Sequence, residues 1–241
     1  MTSPSNDYIS WKKWDQEEFG KLTYGGEFYF NQFFRKYKLL KKNKKILEIG
    51  FGNGGLLGYL KKHSNELIGV ETNTILVSRA VENGYGAFAG LVWEVSELDD
   101  KKFDLIFAFD VVEHMSVGDL KSFFSWVAKH LDAYGSLILR FPEGASPLGL
   151  AYQHGDFTHA TILTRNKLIS LCDINELTLI SYDDEYLRSD KLCSYGLIGK
   201  FFLLILQAYA KFLRNILKFF LFPLSTDLRL STNSIVIIKK I

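Results

Sequence analysis

The chain has 241 residues, 47% of them hydrophobic and 23% charged, with four prolines and a formal net charge of +2. That length and apolar content suffice for one good-sized core, with roughly 70–75% of the unfolded surface buried on folding, which excludes disorder. A charge so close to neutral gives no ground for nucleic-acid binding. Cys172 and Cys193 have neither zinc-type nor C-x-x-C spacing, so thiols in a reducing cytosol are expected and the expected localisation is cytoplasmic. The opening MTSPSNDYISWKKWDQEEF contains no apolar run, and a conventional signal peptide is not expected. Nor is a spanning helix: the longest charge-free part of the apolar C-terminal region, residues 201–210, falls short of the ~18–20 residues required.

The first 40 residues are aromatic-rich and read as a helical cap, short helices followed by one near residues 28–40. A basic run follows (Arg35, Lys36, Lys38, Lys41, Lys42, Lys44, Lys45), read as a solvated helix end and loop. Strands then alternate with helices. Residues 45–50 (KILEIG), 66–71 (ELIGVE), 85–89, 103–110 (FDLIFAFD), 136–141 (SLILRF), 177–182 and 234–239 (SIVIIK) read as strands. Helices are expected over 55–63, 73–83, 116–131 and 165–172. Repeated βα units predict an open, doubly wound, mostly parallel sheet within one domain over residues 1–241, its ligand at the carboxyl ends of the strands.

The first βα turn reads Glu48-Ile-Gly50-Phe51-Gly52-Asn53-Gly54-Gly55. Glycines let the backbone turn sharply and lie directly against a ligand, and the helix beginning there offers free amide groups. Gly50, Gly52 and Gly55 also satisfy G-x-G-x-x-G, so a nicotinamide dinucleotide is one possible ligand and an oxidoreductase one alternative; a non-catalytic nucleotide-binding module of a membrane complex is another. Glu48 inside the strand end suits an ammonium group better than a pyrophosphate. Glu71, ending the second strand, can accept both hydroxyls of a ribose. With the acidic turn Asp110-Val-Val-Glu113-His114, these features suit a nucleoside bearing a cationic amino-acid tail.

On these residues the chain resembles the class I S-adenosylmethionine-dependent methyltransferases. ILEIGFGNGGLL is similar to that family's first motif, LIGVETN to its second and FDLIFAFDVVEHM to its fourth-strand motif. AKHLDAYGSLILRFPEG is similar to the helix, turn and strand that follow, with Asp132-Ala-Tyr-Gly135 replacing the usual Pro-Gly-Gly. The resemblance covers about residues 40–145 and implies seven strands, the last antiparallel. It assigns S-adenosylmethionine as cofactor: Glu48 on the methionine ammonium, Gly50, Phe51, Gly52, Asn53 and Gly54 around methionine and ribose, Glu71 on the ribose hydroxyls, Thr72 beside the adenine, Asp110 near the sulfonium. No residue after the third strand is identifiable as the partner of the adenine amino group.

Polar and turn-forming residues crowd residues 140–159, RFPEGASPLGLAYQHGDFTH, just beyond the fifth strand. Methyl transfer depends mainly on alignment, and a hydroxyl acceptor gains from a base. His154 or His159 could serve, with Asp156 orienting a ring and Arg140 meeting an anionic substrate; the alternative is that they only tie the loop together. This segment also resembles methyltransferases associated with surface-polysaccharide and O-antigen biosynthesis, with Glu143 where that subset often has asparagine. The resemblance implies oxygen methylation of a sugar, a glycan precursor or an attached phosphoryl group. Asp110, Glu113 and His114 share one turn and could suit a divalent ion, but Glu-His there also packs the turn in metal-free relatives, and no metal is expected.

Residues 187–226 form an insertion before the last strand, with an amphipathic helix over 197–222 that Pro223 ends. At 100° per residue, Lys200, Gln207, Lys211, Arg214, Asn215 and Lys218 share an arc of about 100°, and the rest is apolar. Such a face predicts contact with a membrane surface, with a second subunit or with the core.

Overall fold

Seven strands carry the fold: β1 (Lys45–Ile49), β2 (Glu66–Glu71), β3 (Gly86–Ala89), β4 (Phe103–Phe109), β5 (Leu131–Pro142), β6 (Leu177–Asp184) and β7 (Asn233–Lys240). They form one sheet in the order β3-β2-β1-β4-β5-β7-β6. The first five are parallel, and β7 runs antiparallel to both β5 and β6, as expected. The computed structural model describes residues 6–12, 14, 17–40, 44–63, 66–185, 187–221 and 229–240. Lys41, Lys42, Phe222 and Pro223, singled out in the sequence, lie outside the described residues.

The helices are α1 (Asn6–Trp11), α2 (Tyr24–Tyr37), α3 (Gly55–Lys61), α4 (Thr74–Glu82), α5 (Val117–His130), α6 (Leu150–His154), α7 (Arg165–Ile174), α8 (Asp190–Cys193) and α9 (Gly196–Leu221). Strand alternation divides the core. Leu105, Phe107 and Phe109 of β4 turn to one face, where Tyr29, Phe30, Phe33 and Phe34 of α2 cover them. Ile106 and Ala108 turn to the other face and meet Phe123, Phe124 and Val127 of α5. A strand buried on both faces must be apolar there, which is why LIFAF, residues 105–109, reads as a continuous run, with the half-buried Asp104 at its entry meeting Lys44. The aromatic spacing of α2 thus reflects burial, with stacking of Phe34 on Tyr59 (centroids 5.1 Å apart) fixing it against α3.

Local chemistry sets the helix starts. Ser116 and Asp119 form a reciprocal capping box on α5, and Asn73 Oδ1 accepts from Ile75 N (3.0 Å) at the start of α4. α2 begins four residues earlier than its expected position because Thr23 Oγ1 accepts from Gly26 N (3.1 Å), and it stops at Lys38, which adopts φ +52°. β5 begins at Leu131, not 136, because Leu131 pairs with Phe103 across a register shift that no side-chain pattern announces. The polar segment after β5 holds α6, a short helix within an expected loop. Between β1 and β4 the chain order of the sheet reverses, and the crevice at those carboxyl ends holds the cavity described next.

Candidate active site

The cavity has a volume of about 1390 Å³ and is lined from three directions: the ends of β1, β2, β4 and β5; the N-terminal segment with Trp11, Lys12 and Trp14; and the stretch from Ala151 to His159. β1 carries Glu48 to its floor, between Gly69 of β2 and Phe107 of β4. Glu48 is 4% exposed and its Oε2 has no hydrogen-bond partner among the described residues. Burial pushes its carboxyl well above the usual carboxylate range, the charge of Glu71 adds to the rise, and Arg140 opposes it. An unpaired buried carboxylate oxygen is costly, and a ligand ammonium would satisfy it.

The turn after β1 stays open because of its glycines. Gly50 has φ +69°, and a Cβ there would stand 2.3 Å from Val111 Cγ2. Gly52 has φ +53°, and its Cβ would meet the Trp14 ring at 2.8 Å. Gly52 N donates to Glu71 Oε2 (3.1 Å), while Thr72 Oγ1 and Asn73 N both donate to Glu71 Oε1 (3.1 Å each). Glu71 therefore locks the turn through two backbone N–H groups, and the free site on Oε2, with the Oε1 site that the Thr72 hydroxyl yields on rotating away, is available to the cavity. Phe51, Asn53 and Thr72 also line it, whereas Gly54 does not: it is buried with φ +73° as the N-cap of α3, over the Phe19 ring. These residues fit the nucleoside with a cationic tail that the sequence implies.

Asp110 lines the cavity in an uncommon non-glycine conformation, φ +57°, its N–H donating to the Arg140 carbonyl (2.8 Å). Arg140 answers with Nε donating to Asp110 Oδ1 (2.9 Å) and Nη2 to Oδ2, lies 3.4 Å from Glu185 Oε1 through Nη1, and stacks over Phe109. Arg140 lines the cavity while held by two carboxylates of its own chain, so part of its charge is already matched before any anionic substrate arrives. Glu143 is fully buried and ties the loop to β7: its carboxylate accepts from Ala145 N (2.8 Å) and Ser234 Oγ (2.5 Å).

The histidines sort differently from the sequence expectation. His154 is exposed at the last position of α6 and outside the cavity lining, because the neighbouring Gln153 takes the buried position there. His159 does line the cavity, its ring 4.7 Å from that of His114, a residue the sequence placed only in a metal cluster. Two backbone bonds bring these distant segments together: Ala160 N and Thr161 N both donate to the Glu113 carbonyl (2.8 and 3.0 Å). Asp156 accepts from Thr158 N (2.9 Å) and Thr158 Oγ1, and sits 3.4 Å from Lys12 Nζ and 3.8 Å from His159 Nε2.

Partners fix the tautomers. Thr158 Oγ1–H is given to Asp156, so His114 Nδ1 must donate to the Thr158 carbonyl (3.2 Å) and hydroxyl (2.9 Å), leaving Nε2 as the basic nitrogen. His159 Nδ1 likewise donates to the Gln153 carbonyl (3.0 Å). Burial, then the neighbouring His159, lowers the His114 pKa, so its ring is neutral near pH 7. Glu113 is 1% exposed with Oε2 unpartnered, and burial followed by Asp110 raises its pKa well above the usual range. Ligating atoms of Glu113, His114 and His159 lie within 4.8 Å of one another, a set chemically able to hold a divalent ion; Asp110, in the expected cluster, is not among them because Arg140 holds it.

Sequence reasoning missed the aromatic wall of Trp11, Trp14, Trp93 and Tyr152, as well as Arg188 at the rim. The density of aromatics near the N-terminus was the available signal. Trp93, with Leu91 and Val92, occupies the stretch after β3 where no adenine partner was identifiable.

Comparison with known proteins agrees with this geometry. The profile of a family described as "Methyltransferase domain" matches residues 27–182. Phosphoethanolamine N-methyltransferase 1 of Triticum aestivum is 25% identical over 159 residues, covering 62% of this chain, which spans about a third (32%) of that protein's length. Among solved structures, a SAM-dependent methyltransferase from Archaeoglobus fulgidus superposes with a TM-score of 0.63 at 16% identity, covering 98% of this chain and all of that one. N-methyltransferase NodS from Bradyrhizobium japonicum WM9, in complex with S-adenosyl-L-homocysteine, superposes with a TM-score of 0.52 at 17% identity over 68% of this chain and 82% of its own.

Proposed function

The chain belongs to the methyltransferase-domain family and is an S-adenosylmethionine-dependent methyltransferase, and from that premise we propose that it methylates an oxygen on a sugar, a glycan precursor or an attached phosphoryl group in surface-polysaccharide biosynthesis. Family membership selects S-adenosylmethionine over the nicotinamide dinucleotide that the glycine spacing alone admits. In the proposed complex Glu48 takes the methionine ammonium, Glu71 the ribose hydroxyls, and the turn 50–54 lies along both. S-adenosylmethionine supplies a methyl group already activated on a sulfonium sulfur, so the chain's task is alignment and proton removal. The observation that carries the oxygen reading is the pair of imidazoles, His114 and His159, which line the cavity with their rings 4.7 Å apart beside Asp156, each with Nδ1 turned to a backbone carbonyl and Nε2 left as the second ring nitrogen. Either Nε2 can receive the acceptor hydroxyl's proton as the oxygen takes the methyl group. We assign the whole described chain to one methyltransferase domain acting in the cytoplasm, in keeping with its two free cysteines.

A second reading has its own observation. Trp11, Trp14 and Tyr152 line the cavity, and aromatic faces attract cations, so an amine on a phosphobase is an alternative acceptor. The relative named for phosphoethanolamine favours the same class. The test is transfer of labelled methyl to a panel of sugar nucleotides, lipid-linked glycans and phosphoethanolamine. Transfer to a glycan hydroxyl is expected, with His114→Ala or His159→Ala lowering kcat by about 10²–10⁴-fold at unchanged S-adenosylhomocysteine affinity, and His154→Ala without effect. Labelled phosphoethanolamine with unlabelled glycans overturns the oxygen reading.

A further inference from the structure

α9 is turned inside out. It spans 26 residues, about 39 Å, and contacts its own domain through its polar side together with Leu203, which is 1% exposed. Gln207 and Gln32 of α2 exchange reciprocal amide hydrogen bonds (3.1 and 3.2 Å), and Gln207 Nε2 also donates to the Leu187 carbonyl (2.8 Å). Arg214 Nε lies 3.5 Å from Asp184 Oδ2 of β6, and Lys200 Nζ stands 5.7 Å over the Phe28 ring. The apolar side points outward: Ile198, Phe201, Phe202, Ile205, Tyr209 and Phe212 are each 48–71% exposed. At 100° per residue the exposed apolar arc covers about 200°. A helix packed into the core would bury that arc and expose the polar one, so the core-packing alternative is corrected.

We propose that α9 docks the protein on an anionic phospholipid bilayer, lying in the interface with its apolar arc among the acyl chains and its cationic edge toward lipid phosphates. Two observations choose this occupant over a second copy of the chain. Residues 196–221 contain Lys200, Lys211, Arg214 and Lys218 and no Asp or Glu. Lys200 and Arg214 are taken up by Phe28 and Asp184 of their own domain, but Lys211, at the edge of the apolar arc, is exposed and finds no carboxylate on α9 of a second copy, whereas anionic lipids supply the counter-charge. The outward arc is also large, far beyond the scattered apolar side chains of an ordinary surface.

Orientation follows from the attachment points. By length and hydropathy Gly196–Leu217 (22 residues, mean hydropathy 1.5) could cross a membrane, contrary to the sequence expectation. Lys200, Gln207 and Arg214, however, fasten the helix to the domain at successive intervals of about 10 Å. A helix held along the domain surface over that span lies on a bilayer and does not cross it. None of this depends on which acceptor is methylated.

The experiment is co-sedimentation of the full chain with vesicles of phosphatidylcholine alone or with 30% phosphatidylglycerol. At least tenfold stronger partitioning onto the anionic vesicles is expected, reduced several-fold by 0.5 M salt or by Lys211→Glu, an exposed position. The triple change Ile198→Ser, Phe201→Ser, Phe212→Ser should abolish partitioning while leaving the thermal melt in place. Absence of binding, or equal binding to both vesicles, overturns the proposal. So does a native dimer that the triple change converts to monomer, which gives the face to a second copy. Retention after alkaline carbonate extraction replaces docking by spanning.

Discussion

Glu71→Ala is the sharpest probe of the cavity, because one carboxylate is asked to hold both the protein and its ligand. In the free protein its two oxygens accept from Gly52 N, Thr72 Oγ1 and Asn73 N, each at 3.1 Å. Removing it orphans two backbone N–H groups in a buried setting, at ~1–3 kcal/mol each. Water entering from the cavity offsets part of this, so a loss near ~2 kcal/mol is expected. For a chain of this size that lowers Tm by roughly 4–8 °C. Ligand affinity suffers more: two ribose hydroxyls donating to a carboxylate contribute ~1.5–3 kcal/mol each, so S-adenosylhomocysteine should bind about 10²–10⁴-fold more weakly. Glu71→Gln separates the two effects. Its amide oxygen can still accept from Asn73 N, but its NH₂ faces Gly52 N–H donor to donor, so the turn stays loosened and affinity recovers only in part. The assays are calorimetric titration and a thermal melt of each variant. An affinity for Glu71→Ala within threefold of the native value refutes the assignment of the ribose to this carboxylate.

Glu48 and Glu113 give pH-dependent outcomes of opposite use. Burial raises Glu48, so a ligand ammonium binding there displaces the proton that the raised pKa favours in the free protein; titrations in two buffers of different ionisation enthalpy should report proton release, and affinity should fall as pH falls through the raised value. Proton uptake on binding contradicts that site for the ammonium. For Glu113 the folded pKa lies above the unfolded one, so the folded state binds more protons and stability is lost as pH rises from about 4.3 toward the raised value. Glu113→Gln removes this loss without breaking a bond at the unpartnered Oε2, and its Tm should exceed the native one at pH 8 while the two converge near pH 5. A variant that melts lower than the native protein by the same margin at both pH values shows that the carboxyl does not titrate in this window.

The cofactor side of the cavity was legible because its determinants are local. A strand, a glycine turn and a second strand lie within residues 45–71, and parallel pairing at Ile49↔Val70 leaves Glu48 and Glu71 no freedom to part. Even so, the sequence did not reveal that Glu48 lacks a partner or that Gly54 serves the turn and not the ligand. The acceptor side was less legible because it joins segments far apart in the chain. His114 and His159 are brought within 4.7 Å by backbone bonds from residues 160 and 161 to Glu113, which leave no trace in composition. The carboxylate partners of Arg140 were hidden for the same reason: Asp110 and Glu185 are 30 and 45 residues away.

By itself the sequence determined the order of βα units, the antiparallel last strand and the glycine turn, since hydrophobic periodicity and backbone sterics act over a few residues. The amphipathic character of α9 was equally plain, as 100° geometry needs no tertiary contact. Only the tertiary structure decided which way that helix faces. Gln32 and Asp184 hold its polar stripe against the domain, and satisfying those polar groups internally is what turns the apolar arc outward.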